Sequence, residues 1–105
     1  MDKIICKGYR AFISGKPCCV CFKAPVDFDH LTARGTGSAK QNDFTGLPLC
    51  RWHHTERGQI GNPKFEAKYK IDLWKQVSTY LTEFLITRGN MAIETDRKGN
   101  VTVRA

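Results

Sequence analysis

The stretch that decides the fold covers residues 29–54 and has the sequence DHLTARGTGSAKQNDFTGLPLCRWHH. It contains all three histidines of the chain, which are His30, His53 and His54. Imidazole is well suited both to metal binding and to proton transfer near neutral pH. Any site that uses imidazole must therefore be built from this stretch.

Metal-ligand spacings occur on both sides of the Gly-rich loop in this stretch. Cys18 and Cys21 form a C-x-x-C pair upstream, and Cys50 and His53 repeat the same two-residue gap downstream. This spacing lets both side chains of a pair reach one ion, with sulfur about 2.3 Å from it. The separation of roughly thirty residues is typical of a treble-clef type knuckle and excludes a short C₂H₂ finger. The sequence thus predicts structural Zn²⁺ in a Cys₃His site, with unliganded core cysteines as the alternative.

Length and cysteine content limit the class of protein. The 105 residues predict one domain, residues 1–105, because a single core commonly fills about 100 to 200 residues. No apolar signal segment opens the sequence and its apolar runs are too short to span a bilayer, so we expect no membrane partner. The five cysteines then indicate metal binding in a reducing cytoplasm more than disulfides. Cys6 is distant from both pairs and is predicted to be a small buried hydrophobe.

The charge balance indicates a class of partner. Seventeen Lys and Arg against ten Asp and Glu give a net charge of +7. Such a basic surface favours a polyanionic partner, of which nucleic acid is the commonest. Ribosomal and membrane-surface proteins can have the same balance, so charge alone does not choose among them.

Hydrophobic periodicity predicts short elements around the cysteine pairs. Lys7 to Ser14 has the pattern of an amphipathic helix, and we expect its apolar face to cover the zinc knuckle. Ala24 to His30 alternates like a half-buried strand, and Gly46 to Leu49 is the returning strand. Cys50 to Arg57 is predicted to be a short helix that ends at Gly58.

The C-terminal part is predicted to be helical and then extended. Pro63 suits the first position of a helix that breaks near Lys70. Asp72 suits the N-cap of a longer helix that Gly89 closes. Residues 91–103 alternate apolar and polar around a charged turn, which is typical of a β-hairpin.

The order of the polar residues resembles a known family. Asp29 and His30 are followed by Asn42 in the Gly-rich loop, and then by Leu-Pro-Leu-Cys-x-x-His-His at residues 47–54. This pattern resembles the HNH endonucleases, most closely their phage- and prophage-borne branch, which includes recombination-associated nucleases. The resemblance covers residues 17–69, roughly half of the chain.

The resemblance implies both a fold and an activity. The implied fold is a ββα-metal core. With the elements predicted from periodicity, the expected protein is a small α+β domain with this zinc-knuckled core, an N-terminal helix, two C-terminal helices and a β-hairpin. The part that follows the core, residues 70–105, is a helical and hairpin extension. The activity is metal-dependent endonucleolytic cleavage of DNA that leaves 5′-phosphate and 3′-hydroxyl ends. Such hydrolysis needs a base for the attacking water and a cation on the phosphate oxygens.

The family pattern gives individual side chains their expected roles. His30 is the candidate general base, and Asp29 and His54 are the candidate ligands of a catalytic Mg²⁺ or Mn²⁺. His53 and His54 are adjacent on a helix, so their rings diverge by about 100° and must serve different ions. His53 is expected to bind zinc. Because Asp29 and His30 alternate across a regular strand, we expect a twist or bulge that turns Asp29 toward the ion.

The loop is expected to supply an orienting residue and phosphate contacts. Asn42 matches the middle residue of the family pattern, and Asp43 is a close rival because the spacing departs from the commonest one. Phosphate binding is expected of four basic residues that flank the site: Arg34, Lys40, Arg51 and Arg57.

Two other classes of function are compatible with parts of the sequence. A non-catalytic zinc-knuckle module that binds nucleic acid or protein needs only the Cys₃His set and the positive charge, but it leaves His30 and His54 unexplained. A phage structural or inhibitor protein explains neither the histidines nor the zinc spacing. The nuclease interpretation uses all of these residues, and it predicts a monomer that acts in the bacterial host cytoplasm if it is phage-encoded.

Overall fold

A computed structural model describes residues 3–31, 42–88 and 92–104 of the chain. In this part the chain is an α+β protein with five short strands and four α-helices. The strands are β1 (Ile4–Ile5), β2 (Asp27–His30), β3 (Gly46–Leu49), β4 (Ala92–Thr95) and β5 (Val101–Arg104). The helices are α1 (Lys7–Ser14), α2 (Arg51–Ile60), α3 (Asn62–Tyr69) and α4 (Leu73–Arg88).

Strands β2 and β3 form an antiparallel pair on which α2 follows directly. The register is uninterrupted from Asp27 opposite Leu49 to His30 opposite Gly46. A Cβ atom at Gly46 would overlap the ring of Phe28, so glycine allows this aromatic ring to cross the partner strand. Because successive side chains of a strand point to opposite faces, Asp27 and Asp29 share one face, and Phe28 and His30 share the other.

The second sheet joins the two ends of the chain. Its order is β1-β5-β4, with β1 parallel to β5 and β5 antiparallel to β4. The predicted C-terminal hairpin is therefore present, with Asp96 accepting backbone N–H bonds from Lys98 and Asn100 in its turn. Strand β1 was not predicted from the sequence, because two residues are too few to show an alternating pattern.

Local sequence signals account for most helix boundaries. Helix α1 has the predicted bounds, and the Asp72 carboxylate accepts the Lys75 N–H at 3.0 Å, as expected of an N-cap. The predicted end of α2 at Gly58 is wrong. The helix continues to Ile60 and ends at Gly61, whose φ of 84° is readily adopted only by glycine. A glycine inside a helix costs only about 1 kcal/mol. Ile60, two residues further on, packs against the core around the cysteine pairs and so favours continuation of the helix. Gly89 lies outside the described residues.

Two apolar clusters form the core. The first surrounds the cysteine pairs and contains Cys18, Leu31, Leu47, Leu49, Phe65, Leu73 and Val77. The second contains Cys6, Tyr9, Ile13, Phe84 and Val103. Helix α4 contributes to both clusters, and it thereby joins the core around the cysteine pairs to the second sheet.

The position of α1 differs from the prediction. Its buried residues, Tyr9 and Ile13, pack with Phe84 and Val103 in the second cluster, so the expectation that this helix covers the knuckle is wrong. The amphipathic pattern identified the buried face but not its partner, because the partner lies far away in sequence. The prediction that Cys6 is a buried hydrophobe is confirmed. Among the described helices, none has the length and apolar character needed to cross a bilayer.

Candidate zinc centre and histidine–carboxylate network

The four predicted zinc ligands converge on one point. The ligand atoms of Cys18, Cys21, Cys50 and His53 all lie within 4.8 Å of one another. Cys18 and Cys21 lie in the turn before β2, Cys50 is the N-cap of α2, and His53 lies in its first turn. The helical spacing of Cys50 and His53 places both on one side of the helix start, facing the turn.

The distances match a tetrahedral zinc site. Ligand atoms around tetrahedral zinc should be separated by about 3.8 Å for two sulfurs and about 3.6 Å for sulfur and nitrogen, given usual bond lengths. The sulfurs of Cys21 and Cys50 are 3.8 Å apart. The His53 Nδ1 atom lies 3.6 Å from the Cys18 sulfur and 3.2 Å from the Cys50 sulfur. These four residues could therefore hold a zinc ion through three thiolates and Nδ1 of the imidazole.

The turn that contains Cys18 favours its thiolate form. Burial opposes ionisation of this thiol, but hydrogen bonds from the backbone at Cys21, Cys50 and Val20 outweigh burial and lower its pKa to about 6. Cys19 is different, because burial raises the pKa of its thiol to about 12. It therefore stays a neutral thiol, and it lies outside the group of four ligands.

The imidazole of His53 is enclosed by aromatic rings. Tyr69 meets it edge to face with ring centroids 5.1 Å apart, and Phe65 does so at 6.4 Å. Both rings belong to α3, which packs against α2. The side chain is 9% exposed, so the ring is fixed in place by packing as well as by its position in the helix.

His54 points to a different set of partners, the two carboxylates of β2. Its Nδ1 atom lies 2.9 Å from the Asp27 carboxylate, and its Nε2 atom lies 3.3 Å from the Asp29 carboxylate. The neighbouring histidines thus serve separate centres, as the angle between successive helical side chains requires. Asp27 was not predicted as part of this site. The alternation that places it on the same strand face as Asp29 was the available signal.

Arginines complete the histidine–carboxylate network. The Arg57 guanidinium donates two hydrogen bonds to the Asp29 carboxylate, at 2.6 and 2.7 Å, and a third to the Asn62 side chain at 2.7 Å. Arg51 lies 3.3 Å from the Asp27 carboxylate, and its side chain is 82% exposed. The two carboxylates are therefore balanced by two cations. We define the histidine–carboxylate network as Asp27, Asp29, His54 and Arg57.

His30 pairs with a carboxylate on the other strand face. Its Nε2 atom lies 2.9 Å from the Asp43 carboxylate, which is almost fully buried. The same carboxylate accepts the Cys6 N–H at 2.8 Å and lies 3.6 Å from Arg10. The Phe28 ring contacts the imidazole edge to face. His30 is therefore held by Asp43 and by Phe28 of its own strand, and Cys6 and Arg10 in turn hold the Asp43 carboxylate.

The structure separates the roles of the two rival loop residues. The Asn42 side chain accepts the Phe44 N–H at 2.9 Å, which begins the short 3₁₀ turn at Asp43–Thr45. Asn42 thus shapes the turn, whereas Asp43 touches His30 directly. Of the twist or bulge expected at Asp29, the bulge is wrong, because the register of β2 and β3 is regular through Asp29 and His30. The twist stays a prediction. The Asp29 side chain reaches His54 without a bulge, since α2 packs on its face of the strand.

The predicted phosphate-binding residues have different surroundings. Arg51 is exposed, whereas Arg57 is mostly buried against Asp29. Arg34 and Lys40 lie outside the described residues. A phosphate role for all four stays a prediction, and for Arg57 it would require the guanidinium to leave its carboxylate partner.

The fold and the centre define a small α+β protein with a Cys₃His group suited to zinc. The sequence profile of the DUF968 family, described as a protein of unknown function, matches residues 1–84. The chain belongs to this family. No curated protein and no solved structure matches the chain. The family match covers both cysteine pairs and the complete histidine–carboxylate network.

Proposed function

We propose that the protein is a metal-dependent endonuclease that hydrolyses phosphodiester bonds in DNA, built on a ββα-metal core. Strand β2, strand β3 and helix α2 follow one another around the proposed centre, and the Cys₃His group joins the start of α2 to the turn before β2. The zinc ligands would thereby fix the helix on the strand pair. Zinc has a structural role in this proposal, because its four ligands leave no open position.

The observation that supports the proposal most strongly is the contact of His54 with Asp27 and Asp29. The imidazole of α2 and the two carboxylates of β2 together offer the nitrogen and oxygen ligands that a second divalent ion needs. Asp29 and His54 would hold this ion, with Asp27 as the nearest additional carboxylate. A bound Mg²⁺ or Mn²⁺ would supply positive charge to the phosphate oxygens and to the leaving oxygen.

His30 and Asp43 form the proposed base. Asp43 holds the Nε2 side of the imidazole, which leaves Nδ1 to accept the proton of the attacking water. The water oxygen then bonds to phosphorus while the bond to the 3′-oxygen breaks. The departing 3′-oxygen takes a proton from solvent, and the products are a 5′-phosphate and a 3′-hydroxyl. Asp43 would act as a positioning residue, because its contacts with Cys6 and Arg10 fix the carboxylate that orients the ring. The proposed base, His30, and the proposed ion ligand Asp29 lie on opposite faces of β2 at its C-terminal end. The scissile phosphate would therefore have to contact both faces around that end of the strand.

A second candidate function is supported by the position of Arg57. Its paired hydrogen bonds neutralise Asp29 without any ion, as in a purely structural network. This geometry favours a non-catalytic zinc module that binds nucleic acid. In the nuclease, the divalent ion would have to displace Arg57 from Asp29 or share the carboxylate with it.

Nicking of supercoiled plasmid DNA tests the two functions. The parent protein should nick the plasmid with added Mg²⁺ or Mn²⁺, and His30→Ala and His54→Ala should not. His53→Cys is the matched control at the neighbouring position, because a fourth thiolate preserves a tetrahedral zinc site. If His30→Ala and His54→Ala fold, retain zinc and cut as well as the parent, the nuclease proposal fails and the non-catalytic module is the better explanation.

A further inference from the structure

Two large aromatic side chains lie on the solvent side of the zinc knuckle. Phe22 is 76% exposed and Trp52 is 74% exposed. Phe22 follows Cys21 and Trp52 follows Cys50 by two residues, and the sulfurs of these cysteines are 3.8 Å apart. The two aromatic residues are therefore attached to the same rigid centre, one on each half. We call Phe22 and Trp52 the aromatic pair.

The backbone conformation of Phe22 indicates that its side chain does not stabilise the fold. Its φ is 63°, a left-handed conformation that is unfavourable for a bulky residue. Two backbone hydrogen bonds of 2.9 Å, from Phe22 N–H to Cys18 and from Cys18 N–H to Lys23, hold the turn in this shape. Glycine or asparagine would fit such a position with less strain. A strained aromatic residue that gains so little burial points to a role in binding.

Trp52 lines a hollow together with its basic neighbour Arg51. The hollow has a volume of about 520 Å³ and is lined by Arg51, Trp52, Thr55, Glu56 and Gln59 of α2. Arg51 precedes Trp52 and is exposed, and Lys23 follows Phe22 and is exposed as well. Glu56 already pairs with Lys68 and Tyr69, which reduces its charge toward the hollow.

We propose that the aromatic pair is a stacking platform for unpaired bases of a DNA strand, with Lys23 and Arg51 on its phosphates. Sites for single-stranded nucleic acid combine exposed aromatic rings with cations that follow the backbone. Duplex DNA offers the same phosphates but keeps its bases stacked inside. This inference rests on the proposed nuclease function. It implies that the preferred substrate is DNA with a single-stranded segment. A symmetric dimer formed through the aromatic pair is the alternative. It would place Arg51 and Lys23 near the same residues of the second copy, and repulsion between like charges opposes that arrangement.

Tryptophan fluorescence tests the platform without cleavage. Trp52 and Trp74 are the two tryptophans of the chain, so a Trp74→Phe background leaves Trp52 as the only reporter. A fifteen-residue oligothymidylate should quench this emission in buffer that lacks Mg²⁺ and Mn²⁺. The matching duplex should quench it far less. Equal quenching by strand and duplex, or none by the strand, overturns the platform.

Substitutions separate stacking from folding. Phe22→Gly removes the ring and relieves the positive φ, so its melting temperature should equal or exceed that of the parent. Its affinity for the oligonucleotide should nevertheless fall by about fivefold or more, as should that of Trp52→Ala, which is measured by anisotropy of a labelled strand. Ile86→Ala is the control, because Ile86 is 80% exposed on α4 and should leave the affinity unchanged. Parent-like affinity in both knuckle variants overturns the proposal.

Two further measurements identify other outcomes. Sedimentation at increasing concentration reports self-association, and a parent dimer that Trp52→Ala dissociates would make the aromatic pair a protein interface and overturn the platform. His54→Ala should bind the oligonucleotide like the parent. Failure of the nuclease with an intact platform would thus appear as binding and quenching without nicking. Failure of the platform with an intact nuclease would appear as Mg²⁺-dependent nicking that Trp52→Ala and Phe22→Gly leave unchanged.

Discussion

Two neighbouring residues of one helix turn, His53 and His54, belong to centres of opposite electrostatic character. His53 joins three cysteine side chains whose thiolates repel one another unless a cation lies between them. His54 joins two carboxylates that Arg51 and Arg57 already neutralise. We therefore expect the first centre to depend on a bound ion for its stability, whereas the carboxylates of the second are already paired within the chain. In the proposed nuclease, the second centre would exchange its internal cation, Arg57, for an external one.

The largest expected effect is at the zinc centre. His53→Ala should lose zinc and unfold, because zinc binding contributes about 10–16 kcal/mol in small domains, which is comparable to the whole stability of about 5–15 kcal/mol. His53→Cys should keep one zinc per chain and a cooperative melting transition. Elemental analysis with thermal melting measures both. A folded, zinc-free His53→Ala protein would show that the first centre does not depend on an ion.

The next effect is on catalysis and not on folding. His54→Ala and His30→Ala should keep zinc and melt near the parent temperature, but Mg²⁺-dependent nicking should fall by about 10²–10⁴-fold, as is usual when a general base is removed. Loss of a ligand of the catalytic ion should have a comparable effect. Zinc content, melting temperature and nicking rate are compared on the same preparations. Loss of zinc from His54→Ala would instead mean that the two centres are not independent.

Arg57→Met sharpens the comparison by removing the internal cation of the second centre. The buried Asp29 carboxylate would lose its main partner, at a cost of about 3 kcal/mol in the free energy of unfolding. If an external ion can take the place of Arg57, Mn²⁺ at about one hundred times its dissociation constant should restore about 2.7 kcal/mol. Urea unfolding with and without Mn²⁺ measures this. The control is Arg57→Met combined with Asp29→Asn, which should show no Mn²⁺ effect.

A failure of Mn²⁺ to stabilise Arg57→Met would argue that the second centre is only a structural network. In that case both centres would be structural, and only the first would need an ion. The non-catalytic zinc module would then explain the chain better than a nuclease.

The smallest effect is expected at Arg51, the exposed counterpart of Arg57. Its pair with Asp27 is solvent-exposed, so Arg51→Ala should change the free energy of unfolding by less than about 1 kcal/mol. If Arg51 contacts a DNA phosphate, the slope of log affinity against log salt should decrease in magnitude by about one. Anisotropy titrations at several salt concentrations provide the slope. An unchanged slope would remove Arg51 from the DNA surface.

Much of the local structure was predictable from the sequence. The two-residue gaps identified Cys18, Cys21, Cys50 and His53 as one group, because metal-ligand geometry imposes its spacing directly on the chain. Amphipathic periodicity and caps gave the bounds of α1 and the start of α4. The end of α2 was missed because a glycine at position 58 has the local character of a helix end, whereas packing extends the helix to Ile60.

The contacts between distant segments were less predictable. Asp27 and Asp43 each face a histidine, yet neither has a spacing relation to it that a sequence pattern can show. His30 touches Asp43 because the 3₁₀ turn returns beside β2. The same carboxylate accepts a hydrogen bond from the Cys6 N–H. Loop closure of this kind depends on non-local packing.

By itself, the sequence determined which four residues form the candidate zinc group, the alternation of β2 and the divergence of His53 and His54. The ligand spacing follows from metal-ligand geometry, and the other two properties follow from helix and strand periods, which are the same in every protein. Tertiary structure decided which carboxylate meets which histidine, that Arg57 neutralises Asp29, and that Phe22 and Trp52 remain exposed. Those outcomes depend on how α2, α3 and the strand pair dock. Burial and charge compensation act between segments that have no fixed separation along the chain.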